Sequence, residues 1–275
     1  MLNLEKTTFI IPVKIEHQDR YRNAKNVLGY INKNFKTNVF IYEVSEGDTK
    51  IDFIKNLTNL NIKHWIVPPE DAFHRTKYLN LMLDQVETDV VVNYDIDVIL
   101  DPENVLECQN LILEKKAEVI YPYELGWGQI QVLETFDYIG FEKSGFDLNF
   151  IKEKGQTKIH QSECGHCIFF DSGVYRKCGG ENEHFVSYGP EDKERMYRFQ
   201  TLGRKVEWRG GKYVYHFEHF RGNDSWMTNP FFSKNWDSFN FIKSLSPDKL
   251  LEFYTHADYS IKYKTIGNEN SNNRG

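Results

Sequence analysis

The stretch Asp89-Val-Val-Val-Asn-Tyr-Asp-Ile-Asp97 decides how the rest of the chain is read. Its continuous valine run suits a strand covered on both faces, as in a sheet with helices packed on each side. The run ends on two carboxylates. In an open α/β sheet, ligands bind outside the carboxyl ends of the strands, where Asp95 and Asp97 fall. If the chain stays extended, both side chains lie on one side. There they repel unless a cation sits between them, and hard oxygen ligands suit Mg²⁺ or Mn²⁺. Such a cation would also bind a diphosphate. Taken alone, an Asp-x-Asp is read equally well as a solvated loop after a strand.

Outward from this stretch, strand and helix patterns alternate. Toward the N-terminus, Thr7-Thr-Phe-Ile-Ile-Pro12, Asn38-Val-Phe-Ile-Tyr42 and Lys63-His-Trp-Ile-Val67 are short, apolar and β-rich. Between them, Tyr21, Ala24, Val27, Leu28 and Ile31 share one helical side, residues 51–60 suit a short helix, and residues 73–86 place Leu79, Met82, Leu83 and Val86 at helical intervals. This alternation over residues 7–123 implies a parallel, doubly wound α/β sheet. Toward the C-terminus the pattern is less regular. Residues 168–170 read as a strand, 172–177 as a short helix, and 190–202 as a clear helix opened by Pro190 and closed by Gly203. Short strands are expected around Val206 and Val214, and a last helix over 248–259. The polar tail 266–275 lacks periodicity and reads as disordered.

Composition narrows the function. With 34 Lys+Arg against 40 Asp+Glu the net charge is -6, which argues against a nucleic-acid partner held on a broad basic surface. No window reaches the roughly 18 apolar residues of a membrane span, and Met1-Leu-Asn-Leu-Glu-Lys6 is unlike a signal peptide. Only 4 cysteines are present, so the expected compartment is the reducing cytoplasm, with any membrane contact peripheral. Cys164 and Cys167 form a lone C-x-x-C with no second pair and no thioredoxin-like context, and free thiols are the expectation. Aromatics reach 15%, enough to supply both core bulk and flat platforms for sugars.

Two further groupings carry chemistry. Gly189-Pro190-Glu191-Asp192 opens the helix at 190–202, where acids are favoured by the free N–H groups and the dipole whatever their role. A functional reading makes one acid a base for a sugar hydroxyl that turns acidic late in a displacement. His216-Phe-Glu-His219 follows an aromatic run, and its imidazoles suit either an aromatic core or a Mn²⁺-like ion.

In this order, these pieces resemble a glycosyltransferase of the GT-A fold, most closely the β-1,4-galactosyltransferase-like family. Phe9-Ile-Ile-Pro-Val13 is similar to the family's first strand, placing Pro12 at the donor. Phe73-His-Arg-Thr-Lys-Tyr-Leu-Asn80 is similar to a block in which Phe and Arg hold the uridine, here Phe73 and Arg75. Asn93-Tyr-Asp-Ile-Asp-Val98 resembles the family's metal motif, making Asp97 a metal ligand and leaving Asp95 to the donor. Tyr188-Gly-Pro-Glu-Asp192 resembles a Trp-Gly-Gly-Glu-Asp block. The resemblance implies Asp192 as catalytic base, with Glu191, Tyr188 and Gly189 at the acceptor. Where the family sets Met and His three residues apart at the metal, this chain has His216 and His219. The chain departs from the family at Gly165-His166, in place of Gly-Gly, and in the loop Lys14–Asp19, which lacks the family's arginines.

The resemblance implies an α/β GT-A fold with a doubly wound mixed sheet and a less regular acceptor-side half. One catalytic domain would cover residues 1–265: a nucleotide-sugar half (1–123), an acceptor and metal half (124–222) and a C-terminal extension (223–265). The implied activity is metal-dependent (Mn²⁺ or Mg²⁺), inverting transfer of a hexose or N-acetylhexosamine, galactose-type favoured. The donor would be a UDP-sugar and the acceptor an oligosaccharide or lipid-linked glycan, as in polysaccharide biosynthesis. A sugar-nucleotide nucleotidyltransferase would instead exchange pyrophosphate, but the loop Pro12-Val-Lys-Ile-Glu16 has no Gly. A non-catalytic carbohydrate-binding protein would bind glycan without nucleotide or metal.

Overall fold

The computed structural model describes residues 1–154, 157–162, 164–222 and 227–257. The expected tail over 266–275 and the last residues of the 248–259 helix lie outside them. The first half lays down β1 (Leu2–Lys14), α1 (Gln18–Asn34), β2 (Phe35–Val44), β3 (Leu60–Val67), α2 (Arg75–Leu83) and β4 (Val90–Tyr94). Then come β5 (Val98–Leu100), α3 (Pro102–Leu113), β6 (Val119–Tyr121), β7 (Gly126–Val132), α4 (Tyr138–Lys143), α5 (Leu148–Lys154) and β8 (Thr157–Ser162). The chain continues through β9 (Cys167–Asp171), α6 (Ser172–Lys177), α7 (Glu191–Thr201), β10 (Val206–Trp208), β11 (Val214–Phe217), α8 (Phe232–Lys243) and α9 (Pro247–His256). In place of a helix over 51–60 there is one 3₁₀ turn, Asp52–Asn56.

Seven strands form the main sheet in the order β10-β6-β9-β4-β1-β2-β3. Neighbours β1–β2, β2–β3, β1–β4 and β6–β10 are parallel. The parallel arrangement expected over residues 7–123 holds for β1 to β4, and β9, beyond that span, runs antiparallel to both β4 and β6, which makes the sheet mixed. An apolar run such as Ile168-Phe-Phe170 encodes burial but not direction, so the mixed sheet was legible only through the family resemblance. All five residues of β4 and the run Thr7–Val13 of β1 are buried, as expected for central strands covered on both faces.

A second sheet, ordered β5-β11-β7-β8, adjoins the first. The chain passes from β4 in one sheet to β5 in the other through Asp95-Ile96-Asp97, so these acids stand at the junction. His216 of β11 pairs with Val98 of β5 and with Gln131 of β7. That register brings a histidine beside Asp97 from 119 residues further along the chain.

Helix α7 is fixed by two arginines without solvent exposure, Arg195 and Arg198. Arg195 pairs with buried Glu181 at 3.1 Å, and Arg198 pairs with Glu194 at 2.9 Å while donating to the Gly180 carbonyl at 2.8 Å. The hydroxyl of Tyr254 in α9 donates to Glu194 at 2.6 Å, and its ring lies 4.2 Å from the Arg198 guanidinium. Gly179, at φ +91, meets this ring so closely that a Cβ there would fall 2.7 Å from Tyr254 Cδ1. Phe185, Phe239, Ile242, Leu250 and Tyr254 make a small core of their own, separate from the main one.

Candidate active site

A cavity of about 540 Å³ opens at the carboxyl end of β4, within the range that holds drug-sized ligands. All eleven residues singled out in the sequence line it: Pro12, Phe73, Arg75, Asp95, Asp97, Tyr188, Gly189, Glu191, Asp192, His216 and His219.

The two acids of the Asp-x-Asp do not share a partner. The chain turns at residues 96–97 instead of staying extended, and this separates them. Asp95 accepts from Arg75 Nη2 at 2.8 Å. Asp97 is buried and faces the histidines: His219 Nε2 lies 3.1 Å from its Oδ2, and His216 Nε2 lies 3.7 Å from its Oδ1. One ligand atom from each of Asp97, His216 and His219 can be chosen so that all lie within 4.8 Å of one another. Burial would push the Asp97 carboxyl up, but His219, His216 and Arg20 hold it well below the usual carboxylate range.

The protonation pattern of the two imidazoles tests whether this group fits a cation. A carbonyl oxygen can only accept, so His219 Nδ1, 2.7 Å from the Phe220 carbonyl, carries a proton. His216 Nδ1 lies 2.8 Å from Gln131 Oε1 and carries one as well. Burial pushes the His216 imidazole down to about 3, so it is neutral at pH 7. With its proton on Nδ1, neutral His216 has its lone pair on Nε2, and the Nε2 atoms of both histidines face the Asp97 carboxylate. A carboxylate and two imidazole nitrogens turned toward one another make a donor set that fits a cation. Two nitrogens and a carboxylate suit Mn²⁺ better than the all-oxygen preference of Mg²⁺.

Arg20, which sequence reading did not single out, donates from Nη1 to Asp97 Oδ2 at 2.7 Å. It sits at the start of α1, which is tied to the histidine segment: Asn23 Nδ2 donates to the Phe217 carbonyl at 3.1 Å and Arg22 Nη2 to the Glu218 carbonyl at 2.8 Å. The first turn of the helix after strand one was the place to look for it.

Across the cavity, the first turn of α7 presents Glu191 and Asp192. Asp192 Oδ1 takes an ion pair from Arg195 and stands 3.7 Å from Arg75 Nη1. Burial would raise Asp192, yet Arg195 and Arg75 hold its carboxyl below the ordinary value. Its Oδ2 faces Gly165, where a Cβ would lie 3.4 Å from it, at ordinary contact distance. Glu191 is the opposite case: its buried Oε2 has no hydrogen-bond partner. Burial, with the Asp192 charge beside it, pushes its carboxyl up to about 8. The Tyr188 ring stacks on Phe232 at 6.2 Å and 10°, and Asn229 and Asn235 hold its carbonyl.

His166 lines the wall between these groups, 5.4 Å from the His216 ring. It has φ +69, a left-handed backbone that costs a non-glycine residue free energy and that its surroundings must hold. The Asp95 N–H donates to its carbonyl at 2.9 Å. Cys108, Cys164, Cys167 and Cys178 are free and buried, as expected.

No family model matches the sequence, and no curated protein matches it. Solved structures do match its fold. TarS 1–349 from S. aureus, in complex with UDP-GlcNAc, aligns with a TM-score of 0.58 at 13% identity, over 93% of this chain and 73% of that one. The mannosyltransferase PcManGT from Pyrobaculum calidifontis, in complex with GDP-Man and Mn²⁺, aligns at 0.58 and 11% identity, over 98% and 76%. GalNAc-T7 with UDP, GalNAc and Mn²⁺ aligns at 0.57 and 10% identity, over 97% and 57%. The chain therefore has the GT-A glycosyltransferase fold. Among its described residues, no helix is long and apolar enough to cross a membrane.

Proposed function

We propose that this protein is a metal-dependent, inverting glycosyltransferase that moves a sugar from a UDP-sugar to a glycan hydroxyl. The observation that carries the reading is one cavity with a cation-fitting group, Asp97, His216 and His219, on one wall and an ionised carboxylate, Asp192, on the other. Solved structures alike in fold hold UDP-GlcNAc, GDP-Man with Mn²⁺, and UDP and GalNAc with Mn²⁺, which supports a sugar-nucleotide donor. The family resemblance favours a galactose-type hexose.

In this reading Asp97, His216 and His219 hold the cation, which when bound neutralises charge developing on the leaving diphosphate. Arg75, kept charged by Asp95 and Asp192, adds positive charge on the donor side, with Pro12, Phe73 and Asp95 framing the nucleotide. Tyr188, Gly189 and Glu191 position the acceptor. The acceptor oxygen attacks the anomeric carbon as the bond to the diphosphate oxygen breaks, and that electron pair leaves with the UDP. The acceptor proton passes to Asp192 Oδ2. A single displacement inverts the anomeric configuration. An Asp192 held ionised by two arginines is a weak base at rest, and it accepts the proton once the hydroxyl has become acidic.

The test is a donor panel with Mn²⁺, reading free UDP. One UDP-sugar should be consumed, its product inverted, and Asp97→Ala should abolish Mn²⁺-dependent UDP binding while remaining folded. Pyrophosphate exchange in place of UDP release, or a retained anomer, would overturn the assignment.

A further inference from the structure

We propose that Gln131, held in place by Gln129, is a positioning residue that sets the proton of His216 so that its Nε2 faces the cation. The inference rests on the metal-dependent reading above, although its geometry stands in the protein alone. Gln131 on β7 lies beside His216 on β11 in parallel register. Its side-chain amide grips that one residue twice. Nε2 donates to the His216 carbonyl at 3.1 Å, and Oε1 accepts from the ring Nδ1 at 2.8 Å. Turning the amide over would set oxygen against carbonyl and N–H against N–H, so only one orientation satisfies both contacts.

A second amide locks the first. Gln129, two residues earlier on the same strand, donates from Nε2 to Gln131 Oε1 at 3.1 Å. Its own Oε1 lies 2.9 Å from His166 Nε2, which must therefore be the donor. Along His166–Gln129–Gln131–His216 the donors thus converge on Gln131 Oε1, which accepts from Gln129 on one side and His216 on the other, with every donor matched to an acceptor.

The device matters because a neutral imidazole has two forms. Without Gln131 Oε1, the proton of His216 can move to Nε2, which lies 3.7 Å from Asp97 Oδ1. There it would donate to the carboxylate and close the site that a cation needs. Gln131 removes that competitor by holding the proton on the far nitrogen. Partners of metal-ligating histidines typically change metal affinity 10–100-fold when lost.

The experiment uses the full chain without donor. Mn²⁺ is titrated by the loss of its free-ion electron spin resonance signal, and ¹⁵N spectra of the histidine rings report which nitrogen carries the proton. Wild type should bind Mn²⁺ and show His216 protonated on Nδ1. Gln131→Leu should bind about 10–100-fold more weakly and move the proton toward Nε2. Gln131→Glu, whose carboxylate still accepts from Nδ1, should recover most of the affinity. If Gln131→Leu fails to fold, Gln129→Leu should give a smaller loss in the same direction. A Gln131→Leu protein that titrates like wild type, or keeps its His216 proton on Nδ1, overturns the inference. Wild type that binds no Mn²⁺ but shows the Nδ1 proton would instead overturn the metal reading.

Discussion

Glu191 and Asp192 are adjacent and share one cavity, yet their surroundings drive them apart. Both guanidinium contacts fall on Asp192, while Glu191 is buried beside the resulting negative charge. Pairs of carboxyls so arranged divide into one ionised and one protonated member. The Glu191 carboxyl keeps its proton in the folded chain up to about 8, against an ordinary 4.5. The native state therefore binds more protons than the unfolded one across that window, and stability falls as pH rises through it, by up to about 1.4 kcal/mol per unit. Glu191→Gln should lose this slope. Urea midpoints measured from pH 5 to 8 should show the variant gaining on wild type as pH rises. Asp192→Asn should lose about 10²–10⁴-fold in transfer rate while keeping UDP-sugar binding and its melting temperature within a few degrees. Near wild-type transfer would leave Asp192 as no more than a helix-start acid, worth about 0.3–1 kcal/mol.

Helix α7 shows at the level of elements why that pair is rigid. Arg195 answers both Asp192 and Glu181, and Glu181 also receives the Asn93 amide at 2.8 Å. One guanidinium thus links the helix that carries Asp192 to the strand that leads into Asp97. Arg195→Met leaves a buried carboxylate without its counter-charge and should cost about 3–5 kcal/mol in urea unfolding. Adding Glu181→Gln to that variant should return much of the loss. Little of this was legible in the sequence. Glu191–Asp192 and Asp95–Asp97 announce themselves as local pairs of acids at element ends. Arg195 and Gln131 are single residues whose partners lie 14 and 85 positions away. The alternation in Gly128-Gln-Ile-Gln-Val132, which places Gln129 and Gln131 on one strand face, was not read from the sequence. Helix α3 passed unread although its start is well marked, with the Asp101 side chain capping Glu103 and Asn104 and Pro102 in the first turn.

For the molecule as a whole, the sequence located the first sheet more completely than the second. β1, β2 and β4 carry apolar runs whose burial is written locally, while β3 at the sheet edge is mostly half-buried or exposed. β5, β7, β8 and β11 are short or mixed, and they become a sheet only by pairing across long separations. Asp97 and His216 meet because these two sheets meet there, so their convergence needed either the fold or a family resemblance to foresee. The C-terminal segment was read as an extension, and the contacts of Tyr254 with Glu194, Arg198 and Gly179 give that word a different weight. Among the described residues, every group that lines the cavity precedes residue 222, so a minimal fragment drawn by inspection of the chemistry would stop there. Such a fragment would carry the whole site and discard the ring that braces the helix bearing Asp192. A deletion series or a limited protease digest should therefore draw the boundary of the autonomous unit beyond Tyr254, and a chain cut at 222 should unfold at lower urea than one cut after 257.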